Sequence, residues 1–241
     1  MKSAYIERIV HGRVNGLRAK YYTLLELENL DPETIVTNNT PTHQRIDQEI
    51  NFVWYDNPAP NIPLERFAVL WEGILNIEHE ENYVFFIDVD DGARLWIDGT
   101  LIIDAWYEQS LRRFYSKSIK LSKGFHNIKL IYFNKGPFAA IRLGWVRESG
   151  FTEIIPKYHF ITNSKDFIVI KGVPRSFKVE LWNVAKITEA TSINGVVILP
   201  LHGVKSPIEG SIKIIDLDGR TISETRFLRD IWGGDVFTLK L

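Results

Sequence analysis

Seven short aromatic and β-branched runs, separated by Gly, Asn, Asp or Pro, lie between residues 50 and 146. They are INFVWY (50–55), FAVLWEGIL (67–75), NYVFFIDV (82–89), ARLWID (93–98), TLIID (100–104), HNIKLIYF (126–133) and FAAIRLGWV (138–146). Runs of this length and composition, bounded by turn residues, form strands rather than helices. Asp98-Gly99 sits between two of them and reads as a two-residue hairpin turn. Helix signals are confined to LLELENLDPET (24–34), where a turn or two would end before Pro32. The polar stretch RESGFTEIIPKYHFITNSKD (147–166) then separates a second set of strands: FIVIK (167–171), FKVELW (177–182), VVILP (196–200), SIKIIDLDG (211–219), RTISETRF (220–227) and DVFTLKL (235–241). The chain is therefore expected to be all-β. A large antiparallel β-sandwich would be followed, across a boundary near 160, by a smaller immunoglobulin-like β-sandwich over 166–241, with the polar stretch at 149–165 as linker.

Composition removes several functions. With no cysteine, disulfides, zinc thiolates, iron–sulfur clusters and thiol nucleophiles are excluded, and stability must come from packing. Twenty-nine basic against thirty acidic residues give a net charge of −1, which points to neither nucleic acid nor an anionic membrane. The charge is unevenly spread. Glu26 to Asp91 contains fifteen acids against Arg45 and Arg66, whereas Gly92 to Arg147 contains ten bases against Asp98, Asp104 and Glu108. If the two segments interleave as strands of one sandwich, the imbalance becomes complementarity. MKSAYIERIV lacks the apolar core of about 7 to 15 residues that a signal peptide needs, and no window is apolar enough to span a membrane. No GxSxG, P-loop, dinucleotide or HExxH pattern occurs, so a non-enzymatic role is expected. His11, His43, His79, His126, His159 and His202 read as surface or strand residues, and Trp54, Trp71, Trp96 and Trp145 as core.

One triplet stands apart. In DVDDGARLWIDG (88–99) two carboxylates, Asp90 and Asp91, end a hydrophobic run just before Gly92. Neighbouring strand residues point to opposite faces, so the pair can share a ligand only if the backbone kinks, which Gly92 permits. Two carboxylates about 4 Å apart repel by about 4 kcal/mol at an effective dielectric of 20, and a cation would relieve this. Oxygen-only ligands favour calcium. An EF-hand is excluded, because Gly92 stands where the third acidic ligand would be and a strand follows. Asp-Asp-Gly is also an ordinary solvated turn, and the residues alone leave both readings open. Adjacent aspartates cannot straddle a glycosidic bond, whose hydrolysis needs carboxyl groups roughly 5 to 9.5 Å apart on opposite sides.

The blocks GLRAKYY (16–22), RIDQEINFVW (45–54), FAVLWEGIL (67–75), NYVFFIDVDDGARLWIDGTLIIDAW (82–106) and LSKGFHNIKLIYFNKGPFAAIRLGW (121–145) resemble, in order, the PA-fourteen domain, the β-sandwich module named after anthrax protective antigen. The resemblance covers about 14–148 and implies that the larger sandwich spans those residues, after an N-terminal segment 1–13, and is of the protective-antigen type. Members occur in adhesins, in toxins and as glycosidase appendages, and many bind carbohydrate. In the yeast adhesin branch, consecutive aspartates joined by a cis peptide and an asparagine after a later strand hold calcium, which contacts sugar hydroxyls. Carried over, this implies calcium at Asp90, Asp91 and Asn134 with the carbonyl of Gly136, and carbohydrate at Asp90, Asp91 and Lys135; Trp106, at a strand end after Asp104, reads either as an aromatic platform for a sugar face, which adds it to the carbohydrate site, or as sandwich packing. The expected function is calcium-dependent carbohydrate binding in adhesion, lectin-like, outside the cell or on a surface, with no nucleic-acid partner and no membrane insertion. The alternative is a structural or interaction protein of an extracellular filament, cell surface or virion, which would bind other copies or subunits of an assembly.

Overall fold

The computed structural model describes residues 4–24, 34, 36, 39–201 and 203–240. Apart from its ends, the helical turn expected at 24–34 lies outside the described residues. The chain divides into two compact units, Asn15–Thr162 and a second built from Met1–Val14 with Asn163–Leu241. Both are β-structures, as the run lengths predict.

In the larger unit the strands Phe67–Ile77 and Gly124–Asn134 pair antiparallel over their full length, from Gly124↔Ile77 to Asn134↔Phe67. Leu17–Thr23 and His43–Asp47 extend this sheet on one side, and Gly92–Ile97 and Thr100–Ala105 on the other. The opposing sheet is built on Glu81–Asp90, flanked by Arg112–Tyr115 and by Ala139–Arg147, which also pairs with Asn51–Trp54 and Thr152–Ile154. Phe67, Val69, Trp71, Phe85, Ile87, Tyr132, Leu143 and Trp145 share the core. The run FAVLW is continuously apolar because both its faces are covered: Ala68 and Leu70 join Tyr22, Ile131 and Phe133 in a smaller outer cluster. Trp54, Trp71 and Trp145 are core, as expected, but Trp96 packs against the outer cluster with the Lys129 ammonium 4.4 Å from its ring centre. Asp98 and Gly99 both have positive φ, 49° and 79°, as a type I′ hairpin turn requires.

The charge imbalance resolves as cross-strand pairing. Arg113 grips Asp88 with two bonds of 2.6 and 2.8 Å, Lys120 meets Glu80 at 2.8 Å, and Arg147 Nε meets Glu81 at 2.7 Å. Two histidines lie deeper than their sequence context indicates. His126 stands between the Asp98 carboxylate and the Ser122 carbonyl, and His159 packs on Trp145 while its Nδ1 donates to the Asn76 carbonyl.

The stretch read as a linker, 149–165, carries strands of its own. Thr152–Ile154 pairs with Ala139–Arg147, Phe160 sits opposite Leu75, and Ile155 and Phe160 are fully buried. The smaller unit holds Ile168, Ile170, Leu181, Ile212, Ile214 and Phe237 between two sheets. One pairing in it is parallel, Phe167–Lys171 with Val236–Lys240. The N-terminal segment belongs here: Tyr5–Val10 pairs with Val236–Lys240, Tyr5 opposite Lys240. Fully buried Asp235 accepts the Gly12 and Trp232 backbone N–H groups at 2.6 and 3.0 Å.

Candidate functional site

Asp90 ends a strand of one sheet and Gly92 begins a strand of the other, so the aspartate pair occupies the point where the chain changes sheets. The Asp90–Asp91 peptide is cis. Gly92 is opposite Phe133, and a Cβ there would fall 2.3 Å from a ring carbon of Phe133 and 3.1 Å from the Ala105 carbonyl oxygen. Phe133 is itself held by Trp106, ring centres 4.7 Å apart. Gly92→Ala is therefore expected to lower stability by about 1–3 kcal/mol through overpacking. Calorimetric unfolding checks this; a loss below about 0.5 kcal/mol would mean that the ring yields freely.

Asp91 is nearly buried and each of its oxygens receives a backbone donor, Gln109 N–H at 3.2 Å and Lys135 N–H at 2.8 Å. The Gln109 side-chain amide donates to the Asp91 carbonyl at 3.1 Å, so one residue clamps Asp91 twice. Lys135 Nζ pairs with Glu108 at 2.6 Å, tying together the two loops that supply these donors. Asp90 is half-buried. Burial, then the neighbouring Asp91 charge, push its carboxyl above the ordinary range, and the Leu111 backbone N–H opposes them. Buried Tyr132 donates to the Asp90 carbonyl at 2.6 Å; burial first, and then both aspartates, hold this phenol well above its usual pKa, so it remains a donor.

Asn134 completes the group. Its neighbours on both sides are tied to the aspartate turn: Phe133 is opposite Gly92, and Lys135 N–H donates to Asp91. Asn134 is fully buried, and its amide nitrogen donates to the Leu64 and Gly136 carbonyls at 3.0 and 2.6 Å. Both amide hydrogens are thereby spent, and Oδ1 is left buried without any hydrogen-bond partner. A buried carbonyl-type oxygen lacking a donor is costly in a protein interior, and a cation is a partner that would satisfy it. Among the described residues no three His, Cys, Asp or Glu side chains cluster as a metal site. The donor set here is instead two carboxylates, an amide oxygen and a carbonyl, the hard-oxygen chemistry that suits calcium.

The remaining sequence candidate, Trp106, lies beside the group through Phe133, the ring that packs on Gly92. Trp106 is half-buried, engaged by Phe133 and by the Arg94 guanidinium 5.0 Å from its ring centre, while Arg94 also binds Asp104 at 2.9 Å. Sequence reasoning did not find Gln109 or Leu64; a lone Gln and a backbone carbonyl give no pattern.

The PA14 domain model matches residues 15–158. Over 148 residues the chain is 33% identical to the anti-sigma-I factor RsgI3 of Acetivibrio thermocellus, a match covering 61% of this chain and 21% of that protein. The chain thus spans about a fifth of the length of this curated relative. An anti-sigma factor domain-containing protein from Clostridium clariflavum shares the fold over 92% of this chain and 87% of its own, with 22% identity and a TM-score of 0.52. A PA14 sugar-binding domain from an RTX adhesin shares it over 61% of this chain and 98% of its own, with 18% identity and a TM-score of 0.53. With the ordered sequence blocks, the two-sheet sandwich and a family match over more than half of its residues, the chain belongs to the PA14 domain family.

Proposed function

We propose that the larger sandwich is a non-enzymatic, calcium-dependent carbohydrate-binding module working outside the cell or at its surface. The observation that carries this is the partnerless, fully buried Asn134 Oδ1, in a residue flanked by Phe133, which is opposite Gly92, and by Lys135, which is bonded to Asp91. Asp90, the free lone pairs of Asp91, Asn134 Oδ1 and the second lone pair of the Gly136 carbonyl would hold the ion. Bound there, calcium would supply a hard Lewis acid able to take sugar hydroxyls as further ligands. Tyr132, Gln109 and the Lys135 backbone fix the aspartates before any ion arrives. The fold shared with a sugar-binding adhesin domain supports a glycan as the ligand. The likeness to anti-sigma factors supports a setting in which binding is the sensing end of a longer regulatory protein. A single shallow site binds weakly, and repeated display would supply avidity.

A second reading has its own observation. The two backbone N–H bonds to Asp91 shape the turn without an ion, as expected if the sandwich is a rigid structural brick. Calorimetry separates the two. At calcium about a hundredfold above its Kd, binding adds about 2.7 kcal/mol, a rise of roughly 5–11 °C in the larger unit's melting temperature that chelator reverses. An array of glycans probed with and without calcium should show binding only with it. A melt indifferent to calcium would leave the brick.

A further inference from the structure

The end of the sheet that carries Asp90 and Asp91 also carries two exposed aromatic residues. Ala140 is opposite Asp90 and Ala139 is opposite Trp54, so the strand neighbouring the aspartates leads back into Phe138, and the next strand out leads on into Tyr55. Tyr55 is 79% exposed and Phe138 39%. Scattered exposed apolar residues are commonplace. These two are set apart because they follow the candidate cation site outward along one sheet end, with Lys135, Gly136 and Pro137 linking Phe138 to Asn134. On the opposite flank Leu111, 44% exposed, gives its backbone N–H to Asp90. Trp106, the aromatic platform suggested by sequence, is already occupied by Phe133 and Arg94.

We propose that Phe138 and Tyr55 form a second subsite, a platform for the apolar C–H face of a further pyranose unit, so that the site takes a saccharide chain rather than one sugar. This rests on the glycan-binding reading given above. Adjacent strands lie about 4.8 Å apart, so Tyr55 stands two spacings, about 10 Å, from the aspartate strand. That is beyond the reach of the ring whose hydroxyls face the cation, and it requires a second or third unit. Aromatic faces are negative and the axial C–H groups of a pyranose are weakly positive, which gives the stack its direction.

The test measures binding of the full chain, in calcium, to cello-, xylo-, manno- and galacto-oligosaccharides of one to six units, for wild type, Tyr55→Ala and Phe138→Ala. Wild type is expected to bind trimers of at least one series more tightly than the monomer. Each substitution should remove about three- to tenfold of that gain, leaving monosaccharide affinity and the calcium-induced melting shift unchanged. Equal affinity at every length, or variants that bind trimers as wild type does, would overturn the subsite while leaving the glycan reading intact. No binding of any member by wild type would overturn both.

Discussion

Asp47→Ala should be among the most damaging single substitutions in the larger sandwich, costing about 3–5 kcal/mol. Asp47 is buried. Its Oδ2 accepts the Tyr21 hydroxyl at 2.7 Å and the Trp71 indole N–H at 2.8 Å, and its Oδ1 accepts Arg45 Nε at 2.6 Å. Arg45 closes the ring by donating to the Tyr21 oxygen at 2.6 Å and to the Pro58 carbonyl at 3.1 Å, its guanidinium 4.7 Å from the Tyr21 ring centre. Removing the carboxylate strands two fully buried donors, on Tyr21 and Trp71, that water cannot reach, each costing about 1–3 kcal/mol. Arg45 keeps a third of its side chain in solvent and recovers part of its hydration, which places the loss nearer the lower bound. Asp47→Asn should recover little, since its amide nitrogen would have to face a donor. Calorimetry on the full chain should show the larger unit melting roughly 10 °C lower. A loss under about 1 kcal/mol would mean that solvent already satisfies the network.

Asp47 also shows where sequence reading stops. The strands were legible as short aromatic and β-branched runs bounded by turn residues, and FAVLW and HNIKLIYF pair along their whole lengths. The charge imbalance was legible in the same way, and it reappears as Arg113–Asp88 and Lys120–Glu80. Asp47 itself, an acid in an alternating strand, reads as solvent-facing, because its partners Tyr21 and Trp71 come from two other strands. The strand Tyr5–Val10 escaped for a related reason: its partner is the last strand of the chain, and no local pattern records a pairing between the two ends. At the candidate site, Asp90 and Asp91 announce themselves as adjacent charges, but Asn134 at a strand end is indistinguishable from a turn residue without the family resemblance. Its significance is a matter of hydrogen-bond accounting, which needs the positions of Leu64 and Gly136.

Asp91→Ala should abolish the calcium-induced rise in melting temperature. It should also destabilise the calcium-free protein by about 1–3 kcal/mol, because the Gln109 and Lys135 backbone donors lose their acceptor. Asn134→Asp should behave differently. In an open oxygen site, exchanging an amide for a carboxylate adds charge and strengthens calcium binding. Here the atom replacing the amide nitrogen would be an oxygen pressed against two carbonyl oxygens, beside two existing carboxylates, in a fully buried position. The calcium-free variant should therefore melt lower by the equivalent of about 2–5 kcal/mol, while a calcium-induced rise persists because the ligand oxygen remains. Melting curves of both variants with calcium and with chelator read the two effects separately. An undiminished calcium shift in Asp91→Ala would place the ion elsewhere. A calcium-free Asn134→Asp as stable as wild type would mean that the Leu64 and Gly136 carbonyls do not fix the amide, and the case for an oriented, ion-ready Oδ1 would fall with it.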